Sequence, residues 1–215
     1  MKIKDIMTYN VVTIPSTTPI IEAERIMAAH GFERLPVVDM GKLVGLVTKD
    51  NVLKAGPSAA TTLSRGEAVY LLSRLTVAEI MKRNVVTVSP ETTVEKAVAI
   101  AQANRVGCLP VVEADAVRGI VTTNDFFYKV LNPLFGLGQG GARVRISGGA
   151  DPKHMEQVAA AIARFGLTVT SLWRPFVDPQ RNELIIQFNE SDVAGFMEAL
   201  RASGLEVEKR EFGAS

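Results

Sequence analysis

The 215-residue chain has a single cysteine, Cys108, which excludes an internal disulfide or a cysteine-rich metal site and fits a reducing compartment. Histidine is nearly as scarce. His30 and His154 are the only two, neither has a carboxylate or cysteine at ligand spacing, and no metal site is expected. An excess of one charge sign is also missing: 22% charged residues leave a net +1, so nothing points to a polyanion and nucleic acid is not an expected partner. No run reaches the roughly 18 apolar residues of a spanning helix, and the opening MKIKDIMTYN lacks the apolar stretch of a signal peptide. A cytoplasmic protein without membrane contact is the expectation. No Ser, His and acid set stands in a recognisable context, so no enzyme is expected. What is present is the 47% hydrophobic content of an ordinary globular chain, long enough for two or three compact units.

Sliding the chain against itself reveals a repeat with a constant offset of 74, as from Met7 to Met81 and from Pro36 to Pro110. DIMTYNVVTI answers EIMKRNVVTV, RLPVV answers CLPVV, and GLVT answers GIVT, so one supersecondary unit is used twice. In each copy a segment ending in Ile6-Met7 or Ile80-Met81 leads into a β-branched run, Val11–Ile14 or Val85–Val88, that predicts a buried strand. Thr18 before Pro19, and Thr92 opening TTVE, predict helix caps. Ile20, Ala23, Ile26 and Met27, and likewise Val94, Ala97, Val98 and Ala101, recur at helical spacing and form the inward faces. Two strands then follow in each copy, joined by short turns at Met40-Gly41 and Ala114-Asp115, before a last helix near Asp50 or Asn124.

The first unit is placed at 1–54 and the second at 79–131, with a loop and connecting helix between them at 55–78. Ser64 with Glu67, and Val69, Leu71, Leu72 and Leu75, mark that helix. GLGQGG falls in a linker at 132–142; it fits G-x-G-x-x-G, but a helix precedes it and a strand follows, the reverse of a dinucleotide fingerprint, so a flexible hinge is expected. Residues 143–211 parse as strand, helix 152–165, two strands around the turn DPQRN, helix 192–203 and a last strand. That βαββαβ order predicts an antiparallel sheet with two helices on one face.

The order VVT, helix, LPVV and an apolar GhVT followed by an acid resembles the CBS-domain unit, and two in tandem resemble a Bateman module. The terminal region resembles an ACT domain by element order, and the whole arrangement, with its YLLSRLTVAEIM connection, is similar to the acetoin-utilisation regulatory proteins. The fold class expected is therefore mixed α/β (α+β): two CBS units forming a Bateman module, then a ferredoxin-like βαββαβ domain of ACT type. The resemblance implies an adenosine-containing regulatory ligand (AMP, ADP, ATP or S-adenosylmethionine), no required cofactor, a homodimer, and a regulated enzyme that the residues do not identify.

An ionised aspartate accepts hydrogen bonds only and can take both hydroxyls of a ribose, which makes Asp125 the first candidate for that role. Taken alone, it reads more readily as a carboxylate stabilising a helix start, and the motif context reverses that preference. Thr122 adds a hydroxyl, and Val88, Val106, Leu109 and Pro110 are the expected surface for adenine. In the first copy Asn51 replaces the acid after Thr48, whereas Arg34 offers a phosphate contact that Cys108 lacks, with Lys49 beside it. The recognition elements are thus divided between copies. Thr13 and Thr87 are strand residues within reach of a ligand; Cys108 is a core-filling thiol. SGGADPKHME places its glycines early for an amino-acid-binding ACT loop, so dimerisation is expected there, with Trp173 either a contact or a core residue. An amino-acid sensor and a ligand-free structural dimerisation module remain the alternatives.

Overall fold

The computed structural model describes residues 1–55, 74–138, 140–175 and 182–210, in two compact units, Met1–Phe126 and Phe127–Ser215. The connecting helix expected within 55–78, apart from its last residues, and most of the DPQRN turn lie outside the described residues. In the first unit the repeat becomes two matching local structures. The first copy runs α1 (Ile20–His30), β1 (Arg34–Asp39), β2 (Lys42–Thr48) and α2 (Lys49–Ala55). The second runs α3 (Val94–Asn104), β3 (Cys108–Glu113) and β4 (Ala116–Thr122), then a helix that opens at Thr123–Asp125 and continues as a π-helical stretch, Phe126–Leu131.

Each hairpin closes with two residues at positive φ, Met40 (48°) and Gly41 (79°) in one, Ala114 (49°) and Asp115 (65°) in the other. That turn matches the right-handed twist of the strands, and both hairpins share a bulge between Val37 and Val38 or Val111 and Val112. Ile20, Ala23 and Met27 of α1 are buried against Leu35, Val37 and Val47, with Ile26 partly buried beside them.

Two expectations change, for one reason. α1 begins at Ile20 with Pro19 as its cap, and α3 is capped by Thr93, whose hydroxyl accepts the Lys96 N–H at 3.3 Å. Both starts fall one residue late because the preceding backbone is held extended by the other copy: Val77 N–H donates to Thr18 O at 2.8 Å, and Ile3 N–H donates to Thr92 O at 2.8 Å. The β-branched runs shrink to single parallel bridges within their own copies, Ile14 to Val37 and Val88 to Val111.

In the second unit, β5 (Arg143–Ser147), α4 (Pro152–Phe165), β6 (Val169–Trp173), β7 (Leu184–Phe188), α5 (Ala194–Ala202) and β8 (Glu206–Arg210) give the expected βαββαβ order. The antiparallel sheet is ordered β6-β7-β5-β8, a ferredoxin-like split arrangement. Val144, Ile146, Ile186 and Phe188 meet Val158 of α4 and Phe196 and Leu200 of α5 in its core. The glycine-rich stretch does not run free of this unit. Gln187 Nε2 donates to Gly140 O at 3.0 Å, and a Cβ on Gly141 (φ 90°) would lie 2.0 Å from Phe188 O, so that glycine serves a close backbone approach. Half-buried Trp173 meets Phe135 edge-on at 5.3 Å and carries the Arg143 guanidinium 4.8 Å from its ring centre.

Candidate functional site

Each repeat lends its leading segment to the other. Thr8 exchanges backbone hydrogen bonds with Ile120 of β4 (2.9 and 3.0 Å), and Lys82 does the same with Leu46 of β2 (both 2.9 Å). A side chain would crowd both crossings, since a Cβ on Gly119 would stand 2.5 Å from Met7 Sδ and one on Gly45 would stand 2.4 Å from Met81 Sδ. The matching methionines and glycines are the sequence trace of this exchange.

The crossing builds a cavity of about 640 Å³ within the first unit. Thr8, Asn10, Val11 and Val12 form one wall, and the end of α1, from Gly31 through Phe32 and Glu33 to Arg34, forms a second. The second copy closes it with Gly107, Ile120 and Thr122–Asp125. Asp125 and Arg34, 91 positions apart in the chain, thus face one space.

Asp125 is only 9% exposed. Its Oδ2 accepts the Thr122 N–H and hydroxyl, both at 2.8 Å, closing the first turn after β4. Asn51 makes the same cap: its Oδ1 accepts the Thr48 N–H at 3.1 Å and the Thr48 hydroxyl at 2.8 Å, and its own N–H donates to Thr48 Oγ1 at 3.1 Å. One oxygen therefore satisfies the backbone in either copy. The chemical difference lies in the other atom, an acceptor at 125 and an amide donor at 51.

Arg34 extends towards the second copy, where a Cβ on Gly107 would lie 3.5 Å from its Nη2. Its Nη1 stands 3.6 Å from Glu33 Oε2. Cys108, at the matching position in the other repeat, is buried; desolvation pushes its thiol up to about 11, with Arg34 opposing and Asp125 reinforcing the shift.

The remaining candidates fall elsewhere. Val88, Leu109 and Pro110 are buried, Val106 is half-buried, and none of the four is among the lining residues described. The apolar lining consists instead of Val11, Val12, Phe32 and Ile120, which the sequence did not single out. Thr48 and Asn51 belong to the first copy's own cap, and Lys49 and Thr13 are exposed. Thr87 lines a separate cavity of about 310 Å³ with Lys42, Arg83 and Asp115. Among the described residues, no cluster of three or more His, Cys, Asp or Glu could hold a metal ion, and no helix is long and apolar enough to cross a membrane.

The CBS domain family matches residues 3–58 and 77–132, together more than half of the chain. The chain belongs to the CBS-domain family. Its CBS pair is 33% identical over 125 residues to protein MJ1225 of Methanocaldococcus jannaschii, covering 57% of this chain but only 45% of that relative. The crystal structure of MJ1225 superposes with a TM-score of 0.51 over 58% of this chain. A Vibrio cholerae structure named for acetoin utilization (AcuB) is 29% identical, with a TM-score of 0.52 over 61% of this chain and 91% of its own. The CBS pair of protein MJ0100, crystallised with 5′-methylthioadenosine and S-adenosyl-L-methionine, is 31% identical, with a TM-score of 0.49 over 63% of this chain and 96% of its own.

Proposed function

We propose that this is a non-catalytic regulatory protein that binds an adenosine-containing ligand in the Asp125 cavity of its CBS pair. The observation that carries the reading is the matched pair of caps: asparagine suffices for the fold at 51, so the carboxylate at 125 is more than the cap requires. A carboxylate is an acceptor with about four lone-pair sites, and the hydroxyls of a ribose are donors of the kind it takes. Val11, Val12, Phe32 and Ile120 supply apolar surface for the base. A bound ligand shifts the CBS pair only through unequal affinity for its arrangements. Because the cavity joins both copies, their relative placement is what the ligand biases.

The second unit is read as an ACT-like dimerisation domain, supported by its βαββαβ order, and the whole protein as a homodimer. A role in acetoin or related carbon metabolism is supported by the likeness to AcuB. The experiment is Asp125→Asn, which keeps the cap as Asn51 does. Calorimetric titration with adenosine, AMP and S-adenosylmethionine should show affinity falling about 10- to 100-fold, the range of a lost charge-assisted hydrogen bond. Undiminished affinity would remove Asp125 from the site, and no binding by the unsubstituted chain would leave a structural module.

A further inference from the structure

We infer that the smaller cavity of the first unit is a second binding site, one for a dianionic phosphoryl group held between the two repeats. Its roughly 310 Å³ is lined by Lys42 at the start of β2, by Arg83 and Thr87 of the second copy's leading segment, and by Val112 and Asp115 of the second hairpin. None of its lining residues lines the Asp125 cavity, so the inference does not rest on the adenosine reading. The repeat supplies an internal control. At the 74-residue offset Thr87 and Val112 match Thr13 and Val38, whereas Arg83, Asp115 and Lys42 match Tyr9, Gly41 and Ala116. The same local fold is thus built without a charge at any of these three matching places, and the charges here are additional to it.

Two cations and one carboxylate give the lining a formal charge of +1. Arg83 is fixed at one corner, where its Nη2 donates to Ala78 O at 2.9 Å, and it has no ion-pair partner among the described residues. Its neighbour Lys82 is pinned to Leu46 of β2, which holds this part of the chain at the crossing. Lys42 Nζ lies 3.0 Å from Asp115 Oδ2, but both side chains are mostly exposed. Such a pair contributes little to stability, and an ammonium that gives one N–H to a carboxylate has two more to give. A guanidinium fork takes two phosphoryl oxygens at once, and the ammonium adds a point charge beside it. The volume lies at the lower end of the roughly 300–1,000 Å³ of ordinary ligand sites, which suits a small ion or ester better than a nucleotide. Because Lys42 belongs to the first repeat and Arg83 to the second, an anion held by both ties the repeats together.

The test is thermal unfolding of the full chain at constant ionic strength, with chloride replaced stepwise by inorganic phosphate or, in a second arm, by glycerol 3-phosphate. Binding to the folded chain raises the melting temperature by mass action, so a saturable rise is expected. Arg83→Gln and Lys42→Gln, both on exposed side chains, should each raise the half-maximal concentration at least about tenfold, the effect of a lost charge-assisted hydrogen bond. Asp115→Asn removes the competing carboxylate and should lower it about threefold, a shift that a purely structural ion pair would not produce. The arm with the lower half-maximal concentration identifies the source, free ion or ester, and either order supports the site. A rise that does not saturate, or that neither Arg83→Gln nor Lys42→Gln alters, is a general salt effect and overturns the inference. No rise in either arm overturns it as well, and leaves the adenosine site standing on its own titration.

Discussion

Cys108 and Arg34 hold matching positions in the two repeats, and the exchange of one for the other gives each copy a different chemistry. Arg34 remains partly exposed at the cavity, whereas Cys108 is buried with its thiol pushed up to about 11, mainly by desolvation. The thiolate is the reactive form, so alkylation of the folded chain at pH 8 should run at least about 100-fold slower than in denaturant. Comparable rates in the two conditions would mean that the thiol is accessible. At this scale the sequence was informative where a motif carried its own chemistry: Asp125, Thr122 and Arg34 all line the cavity. Phe32 and Glu33 gave no local signal, because their importance depends on which part of the other copy the end of α1 faces.

Among the elements, the two repeats also test each other's backbones. α1 ends on Gly31 at φ 66°, while α3 ends on Arg105 at φ 51°, in the left-handed region that costs a residue with a side chain about 1–2 kcal/mol. Arg105→Gly should therefore gain about 1 kcal/mol, raising the melting temperature by roughly 2–4 °C. An unchanged or lower melting temperature would show that the Arg105 side chain contributes more than the strain it causes. The leading segment is held by Lys2 and Lys4, whose Nζ atoms lie 2.5 and 2.7 Å from the Glu91 carboxylate. These hydrogen bonds hold the Glu91 carboxyl down at about 2, from an ordinary value of 4.5. A lowered folded-state value stabilises above the unfolded one, so the contribution is complete above about pH 4.5 and fades as the pH falls towards 2. Unfolding of the parent and of Glu91→Gln should accordingly converge across that window; a difference constant from pH 7 to 2 would contradict it. Hairpins and α4 were legible because their turn and cap residues act locally. The late helix starts were not, because partners about 60 to 90 residues away fix them.

For the molecule as a whole, the repeat predicted two like units but not that they would trade segments, since self-similarity along a chain carries no information about which copy supplies which wall. The crossings separate two otherwise similar substitutions. A Cβ on Gly119 would meet both Met7 Sδ and the Thr8 carbonyl at 3.0 Å, whereas on Gly45 the backbone neighbour, Lys82 O, is at 3.3 Å and the flexible Met81 thioether is the main obstacle. Gly119→Ala should cost about 1–3 kcal/mol and Gly45→Ala less. Because Thr8 walls the cavity, only Gly119→Ala should also weaken adenosine binding, as read by chemical unfolding and calorimetry on both variants. Equal losses of affinity would mean that the Thr8 wall does not contribute to binding.

The traded strips also affect how such a chain can diverge. A change at residue 8 is felt in the neighbour's chamber while the hairpin of its own repeat keeps its shape, so the two halves can acquire separate tastes without remodelling either scaffold. A lone half, lacking the strip its twin supplies, would have to borrow one from another molecule.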